Sequence, residues 1–142
     1  MLFQGRRARR SGSGCGFLVH PGRGCEPASI GFVERISNDG GHPEWFWYCR
    51  CKTQYASVFG DDYFLECHGR LVDLLDEAIA LGIGVVVRDE TFYWPTRDPE
   101  RALEEVRNMN RIVARLAGAF SDQVSGVGSP IFGHPEFERL EG

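Results

Sequence analysis

Lysine is almost missing: Lys52 stands alone against fifteen arginines. The two cations are interchangeable at most solvated positions, so this ratio points to the composition of a GC-rich genome, and a bacterial source is expected. No apolar run approaches the roughly 20 residues that cross a bilayer, so no membrane partner is expected. The chain has no glycine-rich phosphate loop ending in Lys-Ser/Thr, no nucleophile elbow, no His-Glu-x-x-His, no dinucleotide fingerprint and no zinc-finger spacing. Each absence removes the enzyme or binding class built on that motif. Gly12, Gly14 and Gly16 are suggestively spaced but follow arginines instead of a strand. Cys15, Cys25, Cys49, Cys51 and Cys67 are odd in number and fit no secreted disulfide framework. Only Gly16 to Val19 follows the early arginines as an apolar run, too short for an export signal. Free thiols in a cytoplasmic protein are the expectation.

What is present suffices for one domain. In 142 residues, 42% are hydrophobic, with ten Phe, four Tyr and three Trp. Such a chain builds its core without disulfides or a structural metal, and neither a cofactor nor a metal is expected. Charge is unevenly placed. Arg6, Arg7, Arg9 and Arg10 fall in the first ten residues, where no acid occurs, leaving twelve basic against twenty acidic residues in the rest. An acidic body matches a phosphate backbone poorly, so nucleic acid is not expected as a partner except through the Arg6 to Arg10 arm. The arm otherwise reads as a solvated tail, and Met1 to Gly5 resembles the remnant of a protease-cleaved tag (Leu-Phe-Gln-Gly).

Residues 1–29, rich in Gly, Arg, Ser and Pro, read as a flexible basic arm and loop. Gly31 to Ile36 alternates as a first strand, and Asn38, Asp39, Gly40 and Gly41 suit a tight turn. The longest single pattern follows. From Trp45 to Ser57 the odd positions Trp45, Trp47, Cys49, Cys51, Thr53 and Tyr55 oppose a mixed even set, as in a long central strand. Asp61 or Asp62 then supplies an N-cap. Phe64, Cys67, His68, Leu71, Leu74, Leu75, Ala78, Ile79 and Leu81 form one helical face, closed by Gly82. Ile83 to Arg88 and Thr91 to Trp94 read as two short strands. Asp98, Pro99 and Glu100 open a second helix, whose face is Leu103, Val106, Asn110, Val113, Ala117 and Phe120, joined by Met109 and Leu116. Residues 123–142 read as a linker and a short C-terminal docking segment, His134 to Leu140. The expected fold is α+β in ββαββα order, spanning residues 30–122. An antiparallel sheet of about four strands would be covered on one face by two helices.

Chemistry is sought where polar groups fall on apolar faces, because a buried polar group without a partner costs about 1–3 kcal/mol. His68 sits between Phe64, Leu71 and Leu75, and Asn110 between Val106 and Val113. Each is satisfied either by a structural hydrogen bond or by a ligand. A zinc site from Cys49, Cys51, Cys67 and His68 is disfavoured, since adjacent helix residues diverge by roughly 100 degrees. The same divergence argues against Cys67 as a nucleophile served by His68, and would leave His20 or His42 to serve it. Asp89 and Glu90 read as a solvated turn with one acid pairing Arg97. The aromatic surplus suits a pocket that is apolar with a polar rim. The residues expected to line it are Trp45, Trp47, Tyr55, His68, Tyr93, Trp94 and Asn110. The leading expectation is a small cytoplasmic binding protein for a small molecule or protein partner. The alternatives are a hydrolase using His68 with Cys67 or an acid such as Glu90, and an interaction module of the antitoxin or immunity kind. Aromatics and a detachable tail also lead us to expect a homodimer.

Overall fold

A computed structural model of the chain describes residues 14–35, 44–47, 49–123 and 128–141. It is a mixed α and β fold with one antiparallel sheet of three strands, β1 (Gly14–Val19), β2 (Ala28–Arg35) and β3 (Glu44–Trp47), in the order β1-β2-β3. The register sets Phe17 opposite Ile30 and Phe32 opposite Trp47. Two long helices follow, α1 (Asp61–Ala80) and α3 (Pro99–Gln123), with the short turns α2 (Tyr93–Thr96) between them and α4 (Phe137–Glu141) at the end.

Both long helices arise where the apolar spacing places them. At the end of α1, Gly82 takes φ 82, its N–H donates to the Ile79 carbonyl, and that of Ile83 reaches back to Ala78. This paired closure satisfies carbonyls that the helix would otherwise leave bare. Asp98 caps α3 through Oδ1, which accepts from the amides of Glu100 and Arg101. At α1 the capping expectation is corrected: the residue at its N-terminus is Gly60, no side chain caps it, and Asp61 and Asp62 lie inside the first turn. There they still face the positive end of the helix dipole. The buried stripe of α3 is Ala102, Val106, Asn110, Ala114 and Ala117. These small side chains allow close packing, so Leu116 and Phe120, expected on the inner face, stand 55% and 57% exposed.

Three further expectations are corrected. Of the strand predicted from Trp45 to Ser57, only Trp45 to Trp47 lies in β3, Arg50 makes an isolated β-bridge, and Gln54–Phe59 is a 3-10 helix. Cys49, Cys51 and Thr53 are buried while Arg50 and Lys52 are exposed, so the alternation is real but belongs to a largely irregular run whose one β-bridge, among the described residues, is at Arg50. Second, the two strands predicted over Ile83 to Trp94 do not form, because 83–89 joins no sheet among the described residues and Tyr93 opens α2. In their place the sheet gains β1, from residues read as arm and loop. Third, the helices do not share one sheet face. Leu71 of α1 packs with Val19, Ala28 and Trp47, whereas α3 packs on α1, the 3-10 helix and the C-terminal segment. The turn predicted at Ser37 to Pro43 lies outside the described residues.

The loop from Pro21 to Cys25 ties the sheet to the 3-10 helix. Gly24 holds φ 78, and a Cβ there would lie 2.5 Å from the Tyr55 carbonyl oxygen. Gly24→Ala is therefore expected to cost about 1–3 kcal/mol from backbone strain alone. Urea titration should show a lowered midpoint at unchanged slope.

Candidate functional site

Two polar constellations share the segment from Thr53 to Ser57, and the first is a buried centre around His68. Helix α1 presents this residue inward at 2% exposure, with the Phe64 ring stacked on it at 5.5 Å and Tyr93 edge-on at 5.7 Å. Thr53 Oγ1 lies 2.9 Å from Nδ1, and Asp89 Oδ2 and Thr91 Oγ1 each lie 3.2 Å from Nε2. The proton positions follow. Thr91 Oγ1 donates to Asp89 Oδ1 at 2.8 Å, so toward the imidazole it acts only as an acceptor. The carboxylate is also an acceptor. Nε2 therefore carries a hydrogen shared between the two, and Nδ1 accepts from Thr53 in the neutral ring.

Asp89 is as fully used as the histidine. Besides His68 and the Thr91 hydroxyl it accepts from the amides of Thr91 at 3.0 Å and Trp94 at 2.8 Å. Aiming the Trp94 amide at it requires a tight α2 turn flanked by two non-glycine residues in the left-handed region, Phe92 at φ 58 and Arg97 at φ 56. Such conformations cost about 1–3 kcal/mol each and persist only where contacts impose them. Here Arg101 lies over Phe92 at 4.3 Å, while Arg97 stacks on Trp94 at 4.7 Å and pairs with Asp76 at 2.7 Å. The expectation that Arg97 pairs Asp89 or Glu90 is corrected. Asp89 is buried on His68, and Glu90 is exposed.

Burial alone would raise the Asp89 carboxyl. The His68 hydrogen bond and charge, with the Trp94 and Thr91 amides, reverse this and hold it well below the usual carboxylate range. A folded-state pKa below the unfolded one contributes stability that is present above about pH 4 and is lost as the pH falls through the folded value. Thermal stability is accordingly expected to drop steeply below about pH 4. In Asp89→Asn the drop should be shallower, as melts between pH 6 and pH 2 will show.

The second constellation borders a cleft of about 350 Å³ between the N-terminus of α1, the middle of α3 and the C-terminal segment. At its floor Asn110, 1% exposed, accepts from Gln54 Nε2 at 3.0 Å through Oδ1 and donates from Nδ2 to Ser57 Oγ at 2.8 Å. Ser57 Oγ in turn donates to the Gln54 carbonyl at 2.7 Å. Arg107, paired with Asp61, and Arg139, paired with Glu136 at 3.3 Å, line the sides together with His134. The opposing wall is the C-terminal segment, anchored by Ile131 and Leu140 against Ala114 and Ala117.

His68, Tyr93 and Trp94 thus meet around Asp89, while Asn110 belongs to the cleft. Tyr55 packs in the cluster that anchors the C-terminal segment, and Trp47 lies against Phe32, Leu71 and Ala28. Trp45 is placed by its backbone, opposite Glu34 in β3. The described aromatic residues of the expected site are therefore spread over separate clusters. Spacing does not single out Thr53, Gln54, Ser57 or Thr91. Asp89-x-Thr91 does carry a signal, an Asp that accepts the amide two residues on. Among the described residues no group of three or more His, Cys, Asp or Glu could hold a metal ion, and no helix is long and apolar enough to cross a membrane. No family model matches the chain, and no curated protein or solved structure is significantly similar to it.

Proposed function

We propose that the chain is a binding protein whose ligand seat is the cleft above Asn110, and that the ligand is a small polar molecule without net charge, neutral or zwitterionic. The observation that carries this reading is the Asn110 carboxamide, locked by Gln54 and Ser57 at the floor of a 350 Å³ space. A group fixed in this way loses little freedom when a ligand arrives. The volume is at the small end of ligand pockets. Each arginine of the lining already faces its own acid, so the cleft offers donors and acceptors with no net formal charge from these pairs. The aromatic residues act behind it, Tyr55 by packing with the segment that forms one wall.

A thermal-shift panel of amino acids, nucleosides, sugars and simple anions tests the reading. Neutral or zwitterionic members should raise the melting temperature, and above the Kd the rise should grow with the logarithm of ligand concentration. Replacing Arg139, whose side chain is 79% exposed, by Ala should weaken that binding about tenfold, the value of one charged hydrogen bond. A panel without hits, or hits indifferent to Arg139→Ala, would sink it.

The hydrolase alternative finds its acid in Asp89 rather than Glu90, but both ring nitrogens of His68 are engaged and the ring is buried. A substrate has no approach to it in this conformation. The buried thiols Cys25, Cys49, Cys51 and Cys67 suit a reducing, cytoplasmic setting. The exposed stripe Ile112, Leu116 and Phe120 supports self-association, which sedimentation tests.

A further inference from the structure

Two thiols meet where the loop from Pro21 to Cys25 crosses α1. Cys67 lies on the buried face of the helix at 0% exposure, Cys25 ends the loop at 9%, and both belong to one core cluster. Cys67 stands close enough to Cys25 to bear on the ionisation of its thiol. The loop is seated on the sulfur: a Cβ at Gly22 would lie 2.4 Å from Cys67 Sγ. Arg23 N–H donates to the Tyr63 hydroxyl at 2.8 Å, and Arg70 Nη1 to the Pro21 carbonyl at 2.5 Å. The nearby Cys51 thiol is committed elsewhere, donating to the Glu26 carbonyl at 2.9 Å. Cys15 is exposed on β1.

We infer that Cys25 and Cys67 are a site of reversible disulfide formation, oxidised by a peroxide or another small thiol oxidant and linking the loop to α1. With hydrogen peroxide, one thiolate attacks an oxygen, the O–O bond breaks, and a sulfenic acid forms as hydroxide leaves and takes up the thiol proton as water. The second thiol then attacks that sulfur, an S–S bond forms, and a second water leaves. Two thiols and one peroxide give one disulfide and two waters. Burial pushes the Cys25 thiol up to about 12, and the thiolate is the reacting form. The reaction therefore runs through states in which the loop lifts and water reaches the pair. The loop has no regular secondary structure and is held by individual contacts, including the Glu26 N–H to the Lys52 carbonyl at 2.8 Å and Arg23 over the Phe59 ring at 4.4 Å, which must release together for the pair to be reached.

The full-length reduced protein should be treated with hydrogen peroxide until Cys15 is modified, then alkylated and digested with trypsin without reductant. Trypsin places each cysteine on its own peptide, with Cys25 in 24–35 and Cys67 in 53–70. The expected product joins these two, with a mass two hydrogens below the sum of the two reduced peptides. The melting temperature of the undigested protein should rise by on the order of 5–10 °C and return on reduction. Cys25→Ser should abolish both effects and Cys51→Ser neither. A reduced pair beside modified Cys15, a different linkage, or sulfinic acid at either residue without a link would overturn the inference.

Discussion

Removing the imidazole of His68 is expected to cost about 3–5 kcal/mol, enough to unfold much of the population of an ordinary domain. Five partners lose at once, Thr91 Oγ1 among them through its share of the Nε2 hydrogen. The Thr53 hydroxyl loses its acceptor at Nδ1, Phe64 its stacked neighbour and Tyr93 the ring beneath its edge. The heaviest loss falls on Asp89, whose side chain is 1% exposed and whose counter-group disappears. A buried carboxylate left with amides and one hydroxyl is a far worse state than the paired one. His68→Ala alone cannot separate this from lost packing, so the informative set is His68→Ala, Asp89→Ala and the double variant in urea. If most of the cost comes from breaking the His68–Asp89 pair, the double variant should be less destabilised than the sum of the singles by about 1–3 kcal/mol. Additive losses would assign the cost to packing. Thr53→Ala, which removes only the far hydrogen bond, should cost about 1 kcal/mol.

The same centre shows where reading the sequence succeeds and where it stops. His68 and Asn110 stand out because a 3.6-residue period makes a polar group on an apolar helix face conspicuous, and both are buried. Their partners do not stand out, since they lie in segments without a period. Asp89 is 21 residues beyond His68 in sequence, at the end of a run that only tertiary packing positions. The Trp45 to Ser57 pattern misleads for a related reason. Alternation records which side chains are inside, and Cys49, Cys51 and Thr53 are inside, but an irregular run can alternate as well as a strand can. Strand β1 fails in the opposite direction. Its residues 14–18 are exposed on both faces, so there is no alternation to find, and its pairing with β2 rests on backbone hydrogen bonds that side chains do not announce.

Ile131→Ala is expected to cost about 2–4 kcal/mol and to open the cleft before the rest of the domain melts. Ile131 is 0% exposed, and with Leu140 at 6% it is one of two apolar anchors that hold the C-terminal segment on α3. The polar ties within the segment are local: Ser129 Oγ accepts from the Ile131 amide at 3.4 Å, His134 Nδ1 from that of Glu136 at 3.1 Å, and Arg139 pairs with Glu136. None of these crosses to the body, so apolar burial carries the docking. Shortening Ile131 leaves a cavity between Ala114 and Ala117, which are too small to fill it. Local opening should then fall below global unfolding in free energy, and amide exchange should separate the two. In the parent, amides of α4 and of the 3-10 turn at Pro130–Gly133 should exchange more slowly than they do in Ile131→Ala, by about 30-fold to 1000-fold. Amides at the centre of α1, around Phe64 and Leu71, should change much less if the segment opens alone. Equal acceleration in both places would mean that the C-terminal segment and the helical core unfold as one unit. The cleft would then be as permanent as the fold, instead of a seat whose wall can lift to admit a ligand.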